Sequence, residues 1–276
     1  MSLPDFLCIG AQKAGTSWLF SQLRSHPGVW MPPVKELHFF DHLFVPQNRR
    51  WTTWHIHQNV KSALRFQLNN NDSVDWQFTK YLIDLGTTEL FTETWYRRAF
   101  DRPAASGKLL GDVTPEYSTL PEAGLAYVRR LLGAVKIIYI IREPVGRAVS
   151  QLRMNVARKA SHTLSHDEWR EMADHPDIDN RGDYRRYVPR WRARWADEDL
   201  LFVPYGRIGA DPTGVMRTVE DFLGLSRHEY PRAEDRIHGT KPVEVPPFVV
   251  ERLQHRLAPQ RAFVEDAFDE AFVRDI

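Results

Sequence analysis

Lys13 lies in the run Gly10-Ala-Gln-Lys-Ala-Gly15-Thr-Ser17, whose glycines, hydroxyls and single ammonium are groups that hold a phosphate. Glycines let backbone N–H groups approach an anion, and a helix starting just after them adds partial positive charge. Against the triphosphate-loop pattern G-x-x-x-x-G-K-[ST], Gly10, Gly15 and Ser17 fit, but Thr16 occupies the lysine position. A loop of this kind holds a phosphate yet is poorly equipped for a Mg²⁺-bound triphosphate. Asp112 is the one residue arguable as a Mg²⁺-binding carboxylate at a strand end.

Arg142 ends a second apolar run, with Ser150 eight residues on; taken alone, an Arg at a strand end reads as an ordinary rim salt bridge. A guanidinium fork and a hydroxyl at a helix start suit a phosphate dianion. Between these runs, Lys35-Glu-Leu-His-Phe-Phe-Asp41 carries Glu36 and His38, which on their own read as a solvated Glu and a satisfied His of an edge strand. In an extended segment the two share one face, with Leu37 and Phe39 on the other.

The elements that must position these groups follow from apolar spacing. Phe6 to Ile9 reads as a strand, and Trp18, Leu19, Phe20 and Leu23 recur at helical spacing until His26-Pro27-Gly28. Val135 to Ile141, rich in β-branched residues, reads as a buried central strand, with a helix from Pro144. Leu109-Leu110 and Leu200 to Val203 are shorter strands, and a helix through Val215 and Val219 ends at Gly224. Residues 45–100 read as an insertion or an irregular helical flap, and a loop from Pro242 to Pro247 precedes a final helix. Strands alternating with helices predict a parallel sheet covered on both faces.

The 276 residues carry 37 Lys and Arg against 36 Asp and Glu, a net charge of +1, which predicts no general attraction to nucleic acid. Cys8 is the only cysteine, so an intramolecular disulfide and a thiolate zinc site are excluded, and a reducing, cytoplasmic setting is expected. The first residues lack a basic stretch followed by an apolar one, and no apolar run reaches the roughly 18 residues of a transmembrane segment. With neither internal repeats nor a flexible linker, residues 1–276 read as one domain.

Gln12-Lys-Ala-Gly-Thr-Ser-Trp18 after a strand resembles the 5′-phosphosulfate loop of sulfotransferases, which use 3′-phosphoadenosine 5′-phosphosulfate (PAPS). That family's second signature, a strand ending in Arg and then a helix with Ser eight residues later, is matched by Ile137 to Ser150. The segment Lys35 to Asp41 is similar to the N-E-V-H-F-F-D type segment of heparan-sulfate-like and bacterial members. The resemblance implies a three-layer α/β fold, with a central parallel sheet flanked by helices and a P-loop-like first unit. It implies that Lys13, Ala14, Gly15, Thr16, Ser17 and Trp18 hold the 5′-phosphosulfate while Arg142 and Ser150 hold the 3′-phosphate. Glu36 would be the general base with His38 supporting it. Lys13 would offset charge on the departing adenosine 3′,5′-bisphosphate, with no metal needed. His238-Gly239-Thr240-Lys241 looks like the loop that closes over PAPS, where the family's Lys-Gly-Arg maps onto His238, Gly239 and Thr240, and Lys241 stands in for the lost basic groups.

The acceptor implied is a hydroxyl or amine of a small molecule, lipid or glycan, with residues 44–107 as the variable segment that shapes its pocket. Val113 stands where heparan-type members have lysine, which argues against a sulfated polysaccharide. Two other readings accompany this one: a nucleotide-dependent kinase with a degenerate phosphate loop, and a non-catalytic nucleotide-binding scaffold. Tyr184, Tyr187, Trp191 and Trp195, interleaved with arginines, read as the core stripe of a helix. Trp95, Tyr96 and Phe100 read as packing residues, and His55-Ile-His57 as two metal-type ligands on a strand without a third, so no metal is assigned.

Overall fold

Every residue of Phe6–Gly10 (β1) is buried, as an unbroken apolar run in a parallel sheet must be. In this computed structural model, which describes residues 2–69, 73–159, 164–235 and 243–276, the chain then forms α1 (Thr16–Ser25), β2 (Val29–Trp30), α2 (Phe39–Phe44), α3 (Arg49–Asn69), α4 (Trp76–Thr87) and α5 (Glu93–Arg98). It continues through β3 (Leu109–Val113), α6 (Glu122–Leu132), β4 (Lys136–Ile141), α7 (Pro144–Ala157), α8 (His166–Asp174), α9 (Pro176–Asn180) and α10 (Tyr184–Arg192). The remainder is β5 (Leu200–Pro204), α11 (Tyr205–Ala210), α12 (Pro212–Leu223), α13 (Pro247–Ala267) and α14 (Glu270–Arg274). The five strands form one sheet in the order β2-β3-β1-β4-β5, and the α/β parallel fold is as expected. The register pairs Phe6 with Gly111 and Val29 with Leu109.

Contacts group the chain into two compact units, Met1–Ile9 with Leu23–Ile137, and Gly10–Gln22 with Ile138–Ile276. In the first unit α3 packs on α4, where Gly86 lets Val60 approach so closely that an added Cβ would meet its Cγ1 at 3.0 Å. The expected irregular flap over 45–100 is therefore corrected: α3 and α4 are regular helices, the second capped by Asp75 accepting from the Phe78 amide. Phe39 stacks on Tyr96 with ring centroids 4.3 Å apart, and Trp95, Tyr96 and Phe100 are buried packing residues.

In the second unit α7 lies against α13, burying Leu152, Val156, Val249 and Leu253. Glu143 caps α7 by accepting from the Val145 and Gly146 amides, so the helix starts directly behind Arg142. Tyr184, Tyr187 and Trp191 on α10 are buried, which bears out their reading as a core stripe, and Trp195 is buried too but lies beyond the end of that helix. Among the described residues, no helix is long and apolar enough to cross a membrane.

Gly111 is the tightest point of the first unit, since a Cβ there would fall 2.1 Å from the Phe6 ring and 2.6 Å from the Met31 sulfur. Gly111→Ala is expected to destabilise the protein by about 1–3 kcal/mol, measured as a drop in the urea midpoint at unchanged slope.

Candidate functional site

The loop after β1 is held from below by β4: the Ala11 amide donates to the Ile140 carbonyl at 2.8 Å. The chain turns at once, with the Ala14 amide donating to the Ala11 carbonyl, and Lys13 takes a left-handed φ of 70°. Gly15 has φ +88°, and a Cβ there would fall 2.8 Å from Ile208 Cδ1, so only glycine fits both backbone and space. Thr16, at the position where a triphosphate loop keeps its lysine, is buried. Helix α1 starts at Thr16, and first-turn amides have no partner earlier in a helix, so those of Thr16, Ser17 and Trp18 are the natural anion donors. The Trp18 ring itself serves packing: its Nε1 donates to the Ala233 carbonyl at 2.7 Å.

Arg142 joins this loop. Its Nη1 donates to the Lys13 carbonyl at 2.7 Å, its backbone amide donates to the Tyr184 hydroxyl, and its guanidinium lies 4.2 Å from the centre of the Tyr205 ring. Burial pulls the guanidinium below its ordinary value, and the Tyr205 and Tyr184 hydroxyls partly offset this. Ser150 is half-buried on α7, one helical turn beyond the Gly146 that lies against Arg142. The structure thus brings Lys13, Ala14, Gly15, Thr16, Ser17 and Arg142 together. His238, Gly239, Thr240 and Lys241 lie outside the described residues.

Glu36 and His38 form a second cluster, but not by strand alternation. Their φ values are 64° and 53°, so the extended reading of this segment is corrected. The chain must turn from Leu37 into α2, and the turn is fixed from both sides. The Phe39 amide donates to the Tyr117 hydroxyl, and the His38 Nδ1 lies 3.1 Å from both Asp41 carboxylate oxygens. Asn48 holds Asp41 in turn, with Nδ2 2.8 Å from Oδ2. The Glu36 Oε1 takes the Lys35 ammonium, while its Oε2 faces His38 Nε2 at 3.8 Å.

The charges follow from this geometry. Burial disfavours the His38 imidazolium, but Asp41, then Glu36 and Glu116, outweigh it and push the group up to about 10. Burial likewise opposes the Glu36 carboxylate, yet Lys35 and His38 hold it well below the usual range. The cluster at neutral pH is therefore an ionised Glu36 beside a charged His38.

Asp112 does not fit the Mg²⁺ role. Its carboxylate is buried, and the hydroxyls of Tyr96, Tyr117 and Thr114 donate to it at 2.9, 2.8 and 2.7 Å. His55 and His57 lie on α3 rather than a strand, so their side chains diverge. His57 is exposed, whereas His55 meets the Lys35 carbonyl and sets its ring edge-on to His38, centroids 4.7 Å apart. Sequence reasoning missed Asp41, Asn48 and Tyr205, and read His55 only as one of two metal-type ligands on a strand. Asp41 carried a signal, a carboxylate three residues after His38; Tyr205, directly after a strand, carried only its position.

A description of the Sulfotransferase family matches residues 4–229. The chain belongs to the sulfotransferase family. Among curated relatives of this sulfotransferase-family chain, the heparan sulfate glucosamine 3-O-sulfotransferase 3B1 of Mus musculus is 25% identical over 238 residues, covering 82% of the chain and 47% of that protein. The heparan sulfate glucosamine 3-O-sulfotransferase 6 of Mus musculus is 26% identical, covering 91% and 68%. The chain spans about half the length of the first of these relatives. The crystal structure of a sulfotransferase from Alicyclobacillus acidocaldarius shares the fold, with TM-score 0.66 over 99% of each chain at 24% identity.

The raised His38 has a consequence for stability. Its imidazolium is favoured more in the folded state than in the unfolded chain, where the ordinary value is about 6.5. Its contribution is therefore complete below about pH 6.5 and is lost as pH rises through about 10. Urea unfolding at a series of pH values is expected to show stability falling over that window, and the fall is expected to flatten in His38→Gln.

Proposed function

We propose that this chain transfers a sulfuryl group from PAPS to a hydroxyl or amine of a small-molecule, lipid or glycan acceptor, with Glu36 as general base. The observation that carries the reading is the bond from the Arg142 guanidinium to the Lys13 carbonyl, which joins two anion-holding segments 129 residues apart. Family membership supports the same chemistry, and the heparan sulfate relatives are named for sugar-hydroxyl transfer.

The residues present fit a donor with separate 5′ and 3′ anionic groups. Lys13 and the first amides of α1 suit the 5′-phosphosulfate, and Arg142 with Ser150 suits the 3′-phosphate. Buried Thr16 stands where a triphosphate loop keeps its lysine, and Asp112 already accepts from three hydroxyls instead of standing open to Mg²⁺.

In the reaction the acceptor oxygen or nitrogen bonds to sulfur, and the bond from sulfur to the bridging phosphate oxygen breaks. The acceptor proton goes to Glu36, and the electron pair of the broken bond stays on adenosine 3′,5′-bisphosphate. Glu36 is a weak base, but it is ionised throughout the neutral range, and it takes the proton as the acceptor becomes acidic on bonding to sulfur. His38, charged and pinned by Asp41, keeps Glu36 ionised. Lys13 offsets the charge that collects on the leaving phosphate.

The test is transfer of radiolabelled sulfate from PAPS to a panel of alcohols, amines, lipids and oligosaccharides. Glu36→Gln is expected to lower kcat by about 10²–10⁴-fold while binding of adenosine 3′,5′-bisphosphate is unchanged. Because Glu36 lies below the ordinary carboxylate value of about 4.3, the acid limb of kcat is expected below that pH. Full activity in Glu36→Gln would refute the base assignment.

A further inference from the structure

His38 is fully buried, and among the described residues its Nε2 is a polar atom with no hydrogen-bond partner. An orphaned imidazole nitrogen at that depth is costly unless something occupies the position it points to. Glu36, His38 and His55 each offer one ligand-type atom, and these atoms all lie within 4.8 Å of one another. We propose that these three residues bind a zinc-like divalent cation, and that the bound ion caps Glu36 and inhibits transfer.

The distances suit such an ion. Ligands about 2.0–2.1 Å from a tetrahedral zinc lie roughly 3.4 Å from each other. Glu36 Oε2 and His38 Nε2 are 3.8 Å apart, so small side-chain rotations bring them to bonding separation. The other Glu36 oxygen is already engaged by Lys35, which leaves Oε2 as the free donor. The second shell is also in place. Metal-binding histidines commonly donate their other ring nitrogen to a carboxylate, and His38 Nδ1 does so to Asp41, which Asn48 holds.

Metal binding needs the neutral imidazole, so the ion displaces the His38 Nε2 proton to solvent, and the carboxylates of Glu36, Asp41 and Glu116 around His38, set against the Lys35 ammonium, favour that exchange. Two imidazoles and one carboxylate with an open fourth position select zinc or copper over magnesium or calcium. The Trp51 ring, its centroid 4.6 Å from that of His38 and its plane nearly perpendicular, packs beside the histidine, while half-buried Glu36 and His55 leave an approach from solvent. The pair of histidines spaced by one residue in the sequence is thus not the ligand pair; α3 supplies His55 alone, and the turn before α2 supplies the other two ligands.

Binding is a property of the cluster itself, whereas inhibition rests on the proposed activity, so the two are measured separately. The metal-free full-length chain is titrated with Zn²⁺ against a chromophoric chelator and with Co²⁺ by visible absorption. The expected result is one ion per chain, a tetrahedral-type Co²⁺ band, and affinity at least about 10-fold weaker in His55→Ala and in Asp41→Asn. Circular dichroism confirms that each variant is folded, and His55→Gln serves if His55→Ala is not. No stoichiometric binding, or binding equal in wild type and variants, would overturn the proposal. In the transfer assay, Zn²⁺ is expected to inhibit the wild type, with recovery on chelation and a higher inhibitory concentration in His55→Gln. Transfer insensitive to Zn²⁺ at saturating occupancy would overturn the capping role. Zinc binding in a chain with no transfer would uphold the metal site and remove the activity instead.

Discussion

The bond from the Arg142 guanidinium to the Lys13 carbonyl is the contact on which the proposed anion site depends. The loop that it holds is short, left-handed at Lys13 and Gly15, and without a regular hydrogen-bond ladder of its own. A neutral donor would give it one ordinary bond. A guanidinium gives that bond and keeps its other N–H groups and its charge for a ligand. Arg142 is itself fixed by the capped start of α7 behind it, the Tyr184 hydroxyl at its amide and the Tyr205 ring under its plane. Two segments that are remote in sequence thereby become parts of one electropositive feature.

The Glu36 cluster is governed by a different interaction, the buried pair of Asp41 and His38. Taking both groups out of water is costly, and the cost is met by close contact on Nδ1 and by the Asn48 amide on the carboxylate. The result is a histidine held charged chiefly by Asp41 and a glutamate held ionised chiefly by Lys35, each adding to the other. An unpartnered Nε2 is what remains after these needs are met, and it gives the cluster its affinity for either a proton or a metal ion.

The strands and helices next to the anion site were legible because they depend on local pattern. Val135 to Ile141 has no polar break beyond Lys136, and the structure places β4 at Lys136–Ile141; Gly224 ends α12 with φ +67°. The family signatures supplied the role of Arg142, which alone reads as a rim salt bridge, and narrowed that of Lys13 within a loop already legible as phosphate-holding. The turn at Glu36 and His38 was not legible. Alternation presumes an extended backbone, and what imposes the left-handed turn is a tertiary bond that the Phe39 amide donates to the Tyr117 hydroxyl, 78 residues away. The same holds for Tyr205 and His55, whose partners are set by packing. The regular helices of residues 49–87 were missed for a local reason: α3 mixes exposed Trp54 and Phe66 with its buried Ile56 and Val60, which blurs a helical stripe.

The central claim, that the loop and Arg142 form a site for an adenosine with separate 5′ and 3′ phosphates, is tested most directly by calorimetric titration of the purified protein. Adenosine 3′,5′-bisphosphate and Mg²⁺-ATP are compared under the same conditions, in the wild type and in Arg142→Ala. The account predicts that the bisphosphate binds well above ATP and that Arg142→Ala abolishes this preference. Tighter binding of Mg²⁺-ATP, or a bisphosphate affinity indifferent to Arg142, would contradict it.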